Sequence, residues 1–257
     1  MSELRGLIFD VDGTLADNEQ DGHRVAFNRA FEDAGLDWFW DEESYDRLLD
    51  VFGGKERIRH FIEDFLQDFE APPDLDAFIR RLHERKTERY VELLNSGAIP
   101  LRPGVARLLG EAHEAGLKLA IASTTTPENA TTLLTQALGE ESVGWFDVMA
   151  CGDVVPNKKP APDIYEYALE QLGLAAAECL VIEDTALGLA SALGAGLKTV
   201  ITANRTTRGQ DFTGAALVLD GLGEPGSPFT VLAGDAGDAQ WVDVAFLQWI
   251  HRHAPGP

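Results

Sequence analysis

The stretch Gly6-Leu-Ile-Phe-Asp-Val-Asp-Gly-Thr-Leu-Ala16 decides the fold of this chain. Its apolar residues 7–9 are typical of a buried strand, which ends abruptly on Asp10 and Asp12. Side chains alternate along an extended backbone, so the two carboxylates point to the same side and repel each other. A divalent cation with oxygen ligands would relieve this repulsion, which makes Asp10 a candidate nucleophile at a metal and Asp12 a candidate proton carrier. The alternative is an aspartate-rich turn after a core strand, a common use of Asp-Gly pairs.

The composition is that of a folded and strongly acidic protein. Of the 257 residues, 45% are hydrophobic and 25% are charged, which argues against disorder and allows a sizeable core. There are 43 acidic and 21 basic residues, and the formal net charge of −22 disfavours nucleic acids and anionic membranes as partners. Any phosphate site must therefore be built locally, from a few cations, backbone amides and a metal.

The chain shows neither a signal peptide nor an apolar run long enough to cross a bilayer. Its two cysteines, Cys151 and Cys179, lie in apolar segments without metal-ligand spacing, and we expect them to be buried thiols. We therefore expect a cytoplasmic protein without a membrane partner. Our expectation for the oligomeric state is a monomer, which no sequence pattern establishes.

A long helical block follows the two aspartates. Between residues 17 and 97 apolar residues recur at helical spacing, and no strand-like run interrupts them. We predict an all-helical cap domain over residues 17–97, inserted into a core domain formed by residues 1–16 and 98–257. The aromatic run Asp37-Trp-Phe-Trp-Asp41 is expected to fill the space between two cap helices. Such a cap would close over a substrate and exclude water.

Beyond Arg102 the pattern changes to strands that alternate with helices. This alternation predicts an α/β fold with a Rossmann-like parallel sheet covered on both faces, and ligands bind such sheets at the carboxyl ends of the strands. Residues 221–228 are typical of a loop before a terminal helix, and we assign no function to them. The predicted strands of this part are 117–122, 146–151, 179–182, 199–201 and 216–219.

Polar residues at the ends of these predicted strands complete a candidate site. Ser123 and Thr124 can hydrogen-bond phosphoryl oxygens, and Lys159, fixed by a following proline, can offset phosphoryl charge. Asp184 can supply a second carboxylate to the metal, while Glu183 orients a metal-bound water. The alternatives are helix capping for the hydroxyls and carboxylates and a solvated surface charge for the lysine.

The helical block carries polar residues on apolar faces. Glu19 and His23 share the face of Phe27 and are candidates for a polar wall of the substrate cleft, although a satisfied buried histidine is the alternative. Lys86 lies on an apolar face too, where it either extends past the helix seam or binds a second anionic group. A glycine-rich helix start with two cations is a candidate clamp for a distal phosphate, with a solvated first turn as the alternative. Its residues are Gly53, Gly54, Lys55 and Arg57.

Together these residues resemble the motifs of the haloacid dehalogenase superfamily of phosphotransferases. The resemblance covers the chain to about residue 220. It implies that Asp10 attacks phosphorus to form an aspartyl phosphate, and that Asp12 serves as general acid and then as general base. It also implies Mg²⁺ as cofactor, held by Asp10, the backbone carbonyl of Asp12, and Asp184. The four motifs match Asp10-Val-Asp12-Gly-Thr, Ser123, Lys159 and Glu183-Asp184.

The helical block resembles the CbbY-type branch of that superfamily. This branch contains xylulose-1,5-bisphosphate phosphatases, which degrade a tight inhibitor of Rubisco in carbon-fixing organisms. The resemblance implies a sugar bisphosphate whose reacting phosphate lies at Asp10 and whose distal phosphate contacts the cap. By position it adds His83 and Asn129 to the substrate contacts, beside Glu19, Lys86 and residues 53–57. The matching segments are 19–28, 37–41, 53–58 and 86–89.

Three other functions share parts of this pattern. A phosphosugar mutase resembling β-phosphoglucomutase would transfer the phosphoryl group to a second hydroxyl instead of water. A phosphoglycolate-type phosphatase would leave the cations Lys55, Arg57 and Lys86 without a ligand. A phospho-receiver signalling module would need neither the helical cap nor Asp12 beside its phosphorylated residue.

Overall fold

The structure is a computed structural model, and it describes residues 3–49, 51, 54–66 and 69–254. The chain forms two compact units. We call the first, Met1–Asp17 with Pro100–Pro257, the core unit, and the second, Asn18–Ile99, the helical unit.

Seven strands in the described part of the chain form one sheet in the core unit, in the order β3-β2-β1-β4-β5-β6-β7. Every neighbouring pair from β3 to β6 is parallel, as the alternating pattern predicts. Strands β1 and β4 at the centre are entirely buried, which explains their continuous apolar sequences. The strands are β1 Gly6–Phe9, β2 Lys118–Ser123, β3 Phe146–Cys151, β4 Cys179–Glu183, β5 Lys198–Thr202, β6 Leu217–Leu219 and β7 Val231–Ala233.

Strand β7 departs from the sequence prediction, which places no strand beyond residue 220. It pairs antiparallel with β6 at the edge of the sheet. All three of its residues are exposed. Without a buried face the strand shows no apolar alternation, so periodicity could not reveal it.

The register of the three central strands brings their carboxyl ends to one edge of the sheet. Phe9, the last residue of β1, is level with Ile121 of β2 and with Ile182 of β4. The next residues of these three strands therefore lie side by side at this edge. They are Asp10, Ala122 and Glu183.

The helical unit consists of a π-helical turn and four α-helices in its described residues. Helices α2 and α4 begin at aspartates, Asp41 and Asp74, whose side chains accept backbone N–H groups of the first turn. An aromatic cluster that includes Phe27, Phe31 and Trp40 forms the core of the unit. The elements are the π-helix Asn18–Arg24, α1 Val25–Asp33, α2 Glu42–Leu48, α3 Gly54–Phe65 and α4 Leu75–Asn95.

The aromatic run at residues 37–41 fills the helical core only in part. Trp38 and Trp40 are buried, but Phe39 between them is 68% exposed. Asn28 fixes the segment, since its side chain donates to the carbonyl of Trp40 and accepts from the N–H of Trp40, both at 2.8 Å. Adjacent side chains of an extended segment point in opposite directions, so the prediction of three packed aromatics is wrong for Phe39.

The remaining helices cover the sheet of the core unit. Ala16 and Leu101 form an antiparallel bridge, and the N–H of Arg102 donates to the carbonyl of Leu15 at 2.8 Å. The core segments that precede and follow the helical unit in the chain therefore lie side by side. No described helix combines the length and the apolar composition that a membrane span requires. The helices are α5 Val105–Glu114, α6 Pro127–Leu138, α7 Asp163–Leu172, α8 Ala186–Gly194 and α9 Val244–His253.

Candidate active site

Asp10 occupies the carboxyl end of β1, where it is only 7% exposed. Its N–H donates to the carbonyl of Ile182 at 3.1 Å, which continues the pairing of β1 with β4. Burial raises the pKa of Asp10 to about 7; Lys159 opposes this shift, and the charges of Glu183 and Asp12 add to it. The structure thus places a buried carboxylate at the position that the sequence predicts for the nucleophile.

Lys159 reaches Asp10 from the loop that precedes α7. Its ammonium lies 2.8 Å from Oδ1 of Asp10 and 2.6 Å from Oε1 of Glu183, and it lies 5.1 Å from the centre of the Tyr165 ring. Burial alone would lower the pKa of Lys159, but the charges of Asp10 and Glu183 raise it well above its ordinary value. Lys159 is therefore a permanent cation, whereas its neighbour Lys158 lies at the surface and pairs with Asp153.

Glu183 holds this arrangement together at the end of β4. Its Oε1 accepts from Lys159 and, at 3.3 Å, from the hydroxyl of Tyr165. Its Oε2 accepts from the N–H of Asp184 at 2.8 Å and from the N–H and hydroxyl of Thr185 at 2.9 and 3.1 Å. With both oxygens occupied, Glu183 positions Lys159 and the turn into α8. Its predicted contact with a metal-bound water stays a prediction.

A glycine of α8 makes room for Glu183. A Cβ atom at Gly188 would overlap the Glu183 carboxylate, so no other residue type fits at this position without displacing that side chain. This requirement could not be read from the sequence, where Gly188 is one of 25 glycines.

Asp184 receives a hydrogen bond on each carboxylate oxygen. The Thr14 hydroxyl donates to Oδ1 at 3.3 Å, and Nδ2 of Asn204 donates to Oδ2 at 2.8 Å. Burial, followed by the charges of Glu183 and Asp10, raises the pKa of Asp184 well above its ordinary value. Asn204 is not among the residues singled out from the sequence, although it follows β5 and lies at the same edge of the sheet.

Arg102 is a second site residue that the sequence did not indicate. Its Nη1 donates to the carbonyl of Gly13 and, at 2.7 Å, to that of Thr202, while Nη2 donates to the carbonyl of Asp220 at 3.2 Å. The guanidinium thereby ties the loop after the two aspartates to the ends of β5 and β6. Burial lowers the pKa of Arg102, and nearby carboxylates, Asp184 first among them, oppose that shift.

The donor set fits a hard divalent cation. Asp10, Glu183 and Asp184 each offer a carboxylate oxygen, and these oxygens lie within 4.8 Å of one another. With all three carboxylates ionised, they and the Lys159 ammonium would carry a net charge of −2, which burial makes costly and which agrees with the raised pKa values of Asp10 and Asp184. A divalent cation with oxygen ligands would balance that charge. Since Glu183 is occupied by other donors, Asp10 and Asp184 are the better ligands.

The remaining predicted residues of the core unit differ in burial and in the element that carries them. Ser123 is the last residue of β2 and is buried, and its Oγ accepts weakly from the N–H of Thr125 at 3.4 Å. Thr124 is exposed, Asn129 is partly buried in the first turn of α6, and Asp12 is partly buried after β1. Thr126 rather than Ser123 caps α6, which removes the capping alternative for Ser123.

Within the helical unit, Glu19 and Arg57 meet at Tyr45. The Tyr45 hydroxyl donates to Oε2 of Glu19 at 2.7 Å and accepts from Nη1 of Arg57, also at 2.7 Å. Arg57 is buried and donates in addition to the carbonyl of Leu48 at 3.1 Å. Arg57 is thus a structural cation that orients Glu19 through Tyr45, and its predicted contact with a phosphate stays a prediction.

His23 and Lys86 form a second pair in the helical unit. Nζ of Lys86 lies 3.0 Å from Nδ1 of His23 and about equally far, 5.0 and 5.2 Å, from the ring centres of Phe27 and Tyr90. Burial, and then the charge of Lys86, hold the pKa of His23 well below its ordinary value. His23 is therefore neutral and accepts from Lys86, which is buried instead of extending to the surface.

The predicted glycine-rich clamp is described from Gly54 onward, since Gly53 lies outside the described residues. A Cβ atom at Gly54 would come within 2.6 Å of the His83 ring, so the glycine permits a close packing of α3 on α4. Lys55 is exposed in the first turn of α3. Burial, followed by the charges of Lys86 and Lys55, lowers the pKa of His83.

Comparisons with known proteins agree with this architecture. The model of the haloacid dehalogenase-like hydrolase family matches residues 4–196. Protein CbbY of Cupriavidus necator is 46% identical over 249 residues, which cover 96% of this chain and 97% of that protein.

Two solved structures resemble the chain over most of its length. The crystal structure of CbbY from Rhodobacter sphaeroides in complex with phosphate has 44% sequence identity and a TM-score of 0.69, over 85% of this chain and 94% of that one. A mutant of that CbbY, solved in complex with xylulose-(1,5)bisphosphate, has 43% identity and a TM-score of 0.69 over the same shares of the two chains.

Proposed function

The chain belongs to the haloacid dehalogenase-like hydrolase family and is a phosphatase, and from this premise we propose that it hydrolyses a small sugar bisphosphate, xylulose 1,5-bisphosphate, with Mg²⁺ as cofactor. The observation that carries the proposal is the buried group of Asp10, Lys159, Glu183 and Asp184 at the carboxyl ends of parallel strands. The choice of sugar is supported by the solved complex of the relative with that compound.

In the proposed reaction a carboxylate oxygen of Asp10 attacks phosphorus, the bond to the sugar oxygen breaks, and an aspartyl phosphate forms. Asp12 gives a proton to the departing sugar oxygen. It then takes a proton from the water that hydrolyses the aspartyl phosphate, which restores free Asp10.

Two cationic groups would stabilise the negative charge of the transferred phosphoryl group. Lys159 is held against Asp10 by Glu183, so its charge is in place before the substrate binds. Mg²⁺ would be held by Asp10, Asp184 and the backbone carbonyl of Asp12, and it would supply positive charge beside the phosphoryl oxygens. Ser123, buried at the end of β2, would donate its hydroxyl to one of these oxygens.

We assign recognition of the second phosphate to the helical unit. Lys86 is its best candidate, because its ammonium is buried next to a neutral histidine and lies over two aromatic rings. Lys55, at the start of α3, is the second candidate. Glu19, whose carboxylate is held by Tyr45, would accept a hydrogen bond from a sugar hydroxyl.

The test is phosphate release in the presence of Mg²⁺ across a panel of sugar monophosphates and bisphosphates, with Asp10→Asn as the inactive control. A kcat/KM for xylulose 1,5-bisphosphate far above the other values is the expected result. A flat and slow profile would overturn the substrate assignment. Conversion of a phosphosugar to its isomer without phosphate release would instead establish the mutase alternative.

A further inference from the structure

Asn204 lies at the active-site edge of the sheet but beyond residue 196, where the match to the family model ends. It follows β5 and is 9% exposed. We propose that Asn204 is a positioning residue, whose side-chain amide holds Asp184 in the orientation in which that carboxylate binds the metal. The proposal rests on the proposed function only in that it takes a metal ion to be bound at this site.

The loop after β5 fixes which end of the Asn204 amide faces Asp184. Oδ1 accepts from the N–H and hydroxyl of Thr206 at 2.9 and 2.8 Å, and from the N–H of Thr207 at 3.1 Å. With its acceptor end saturated by donors, the amide directs its NH₂ group toward Oδ2 of Asp184, 2.8 Å away. An amide that cannot rotate is a fixed donor for that oxygen.

The same NH₂ group also faces the loop that follows Asp10. Nδ2 of Asn204 lies 3.4 Å from the carbonyl oxygen of Gly13, to which Arg102 donates as well. Gly13 has a φ of +90°, and a Cβ atom there would overlap the Asp184 carboxylate and come within 2.8 Å of Nδ2. Asn204 therefore links the carboxylate after β4 to the loop after β1, across a contact that only glycine permits.

Holding Asp184 matters because its neighbours repel it. Glu183 and Asp10 are both negatively charged and close, and the other hydrogen bond to Asp184, from Thr14, is long at 3.3 Å. A ligand oxygen that is already oriented loses less conformational entropy when it binds the cation. Removal of such an outer partner typically weakens metal binding about 10- to 100-fold.

Two variants distinguish the hydrogen bond that Asn204 donates to Asp184 from the hydrogen bonds that Asn204 accepts from its own loop. In Asn204→Ser the hydroxyl can still accept from the N–H groups of Thr206 and Thr207, but it is too short to reach Asp184. Thr206→Val removes one donor to Oδ1 of Asn204 and leaves the NH₂ group facing Asp184. Circular dichroism and thermal melting of both variants establish that they are folded.

The readout is the Mn²⁺ dissociation constant, measured without substrate from the electron paramagnetic resonance signal of free Mn²⁺. We expect Asn204→Ser to raise it at least about 10-fold and Thr206→Val to change it less than about twofold. In turnover, Asn204→Ser should need more Mg²⁺ for half-maximal rate but approach the wild-type kcat at saturating Mg²⁺. Wild-type Mn²⁺ affinity in Asn204→Ser, or an equal loss in both variants, would overturn the proposal.

This measurement is independent of the substrate assignment. If Asn204→Ser loses Mn²⁺ affinity but the wild type releases phosphate from no sugar phosphate, the role of Asn204 stands and the proposed function is refuted. If the wild type hydrolyses xylulose 1,5-bisphosphate but Asn204→Ser binds Mn²⁺ with wild-type affinity, the proposed function stands and the role of Asn204 is refuted.

Discussion

The ammonium group of Lys159 lies 2.8 Å from Oδ1 of Asp10, although 149 positions separate the two residues in the chain. Glu183 binds the same ammonium group at 2.6 Å. All three side chains are at most 9% exposed, so the Lys159 ammonium offsets the charges of the two carboxylates with little help from water. We therefore expect Lys159 to stabilise the folded core unit in addition to its proposed role in the reaction.

Replacement of Lys159 by methionine should reduce both stability and activity. The change keeps the length of the side chain but leaves two buried carboxylates without their counter-charge, which costs about 3–5 kcal/mol. Loss of a fixed cation at the phosphoryl group should lower kcat about 10²- to 10³-fold. Urea unfolding in the presence of EDTA and phosphate release measure the two effects. Lys158→Met is the matched control and should behave like the wild type, because Lys158 is at the surface; equal stability of the two variants would refute the argument.

Gly188→Ala should lower stability and activity by displacing Glu183. The added Cβ would displace the Glu183 carboxylate and with it the contact to Lys159, at a cost of about 1–3 kcal/mol for overpacking. Phosphate release should fall in parallel. Gly110→Ala in α5 is the control: no atom lies within 4 Å of its Cβ, so the helix should gain about 0.5–1 kcal/mol. Unfolding curves that shift in the same direction for both variants would contradict this account.

Asp33→Asn tests an ion pair that joins α1 to α4. Asp33 accepts from Arg89 and Arg85, each at 2.7 Å, and the Arg89 hydrogen bond is the main reason that the pKa of Asp33 falls to about 2. Because this pKa is depressed in the folded state, the stabilisation is complete above pH of about 4 and is lost as pH falls toward 2. The variant should therefore show a modestly lower urea midpoint at pH 7, and its difference from the wild type should shrink below pH 4.

The control for that experiment is Glu32→Gln, the preceding residue of α1, measured over the same pH series. It removes the same charge without touching either arginine. A difference between wild type and Asp33→Asn that stays constant down to pH 3 would show that the ion pair is not its source.

Lys86→Met should change selectivity more than chemistry. If Lys86 binds the distal phosphate, the variant should raise KM for xylulose 1,5-bisphosphate about 10-fold or more and leave sugar monophosphates nearly unaffected. Kinetics on a matched bisphosphate and monophosphate measure this. Thermal melting checks that the packing against Phe27 and Tyr90 survives. Proportional losses on both substrates would exclude Lys86 as a distal-phosphate ligand.

The parts of the site that lie directly after buried strands could be predicted from the sequence. Asp10, Ser123 and Glu183 each follow or end a continuous apolar run. Because the strands are parallel, the sheet brings these carboxyl ends to the same edge.

The remaining contacts depend on side-chain placement that no pattern encodes. Asn204, in an Asn-Arg-Thr-Thr segment, is typical of an ordinary turn, and only the structure shows its amide at Asp184. Gly188 is an isolated glycine in a helical pattern. Only the structure shows that it leaves room for the carboxylate of Glu183, five residues earlier. In the sequence Arg57 is a cation near a helix start, but in the structure its guanidinium donates hydrogen bonds to the Tyr45 hydroxyl and to a backbone carbonyl.

The bridge between Ala16 and Leu101 has a consequence for how such enzymes diversify. Because these two residues are already adjacent, the core strands need no particular segment between them to complete their sheet. The entropic cost of closing a loop across this gap grows only slowly with loop length. An insertion of another size or fold can therefore replace residues 18–99 while the strands keep their order. If the helical unit binds the second phosphate as proposed, such an exchange would change the substrate without redesign of the reacting centre.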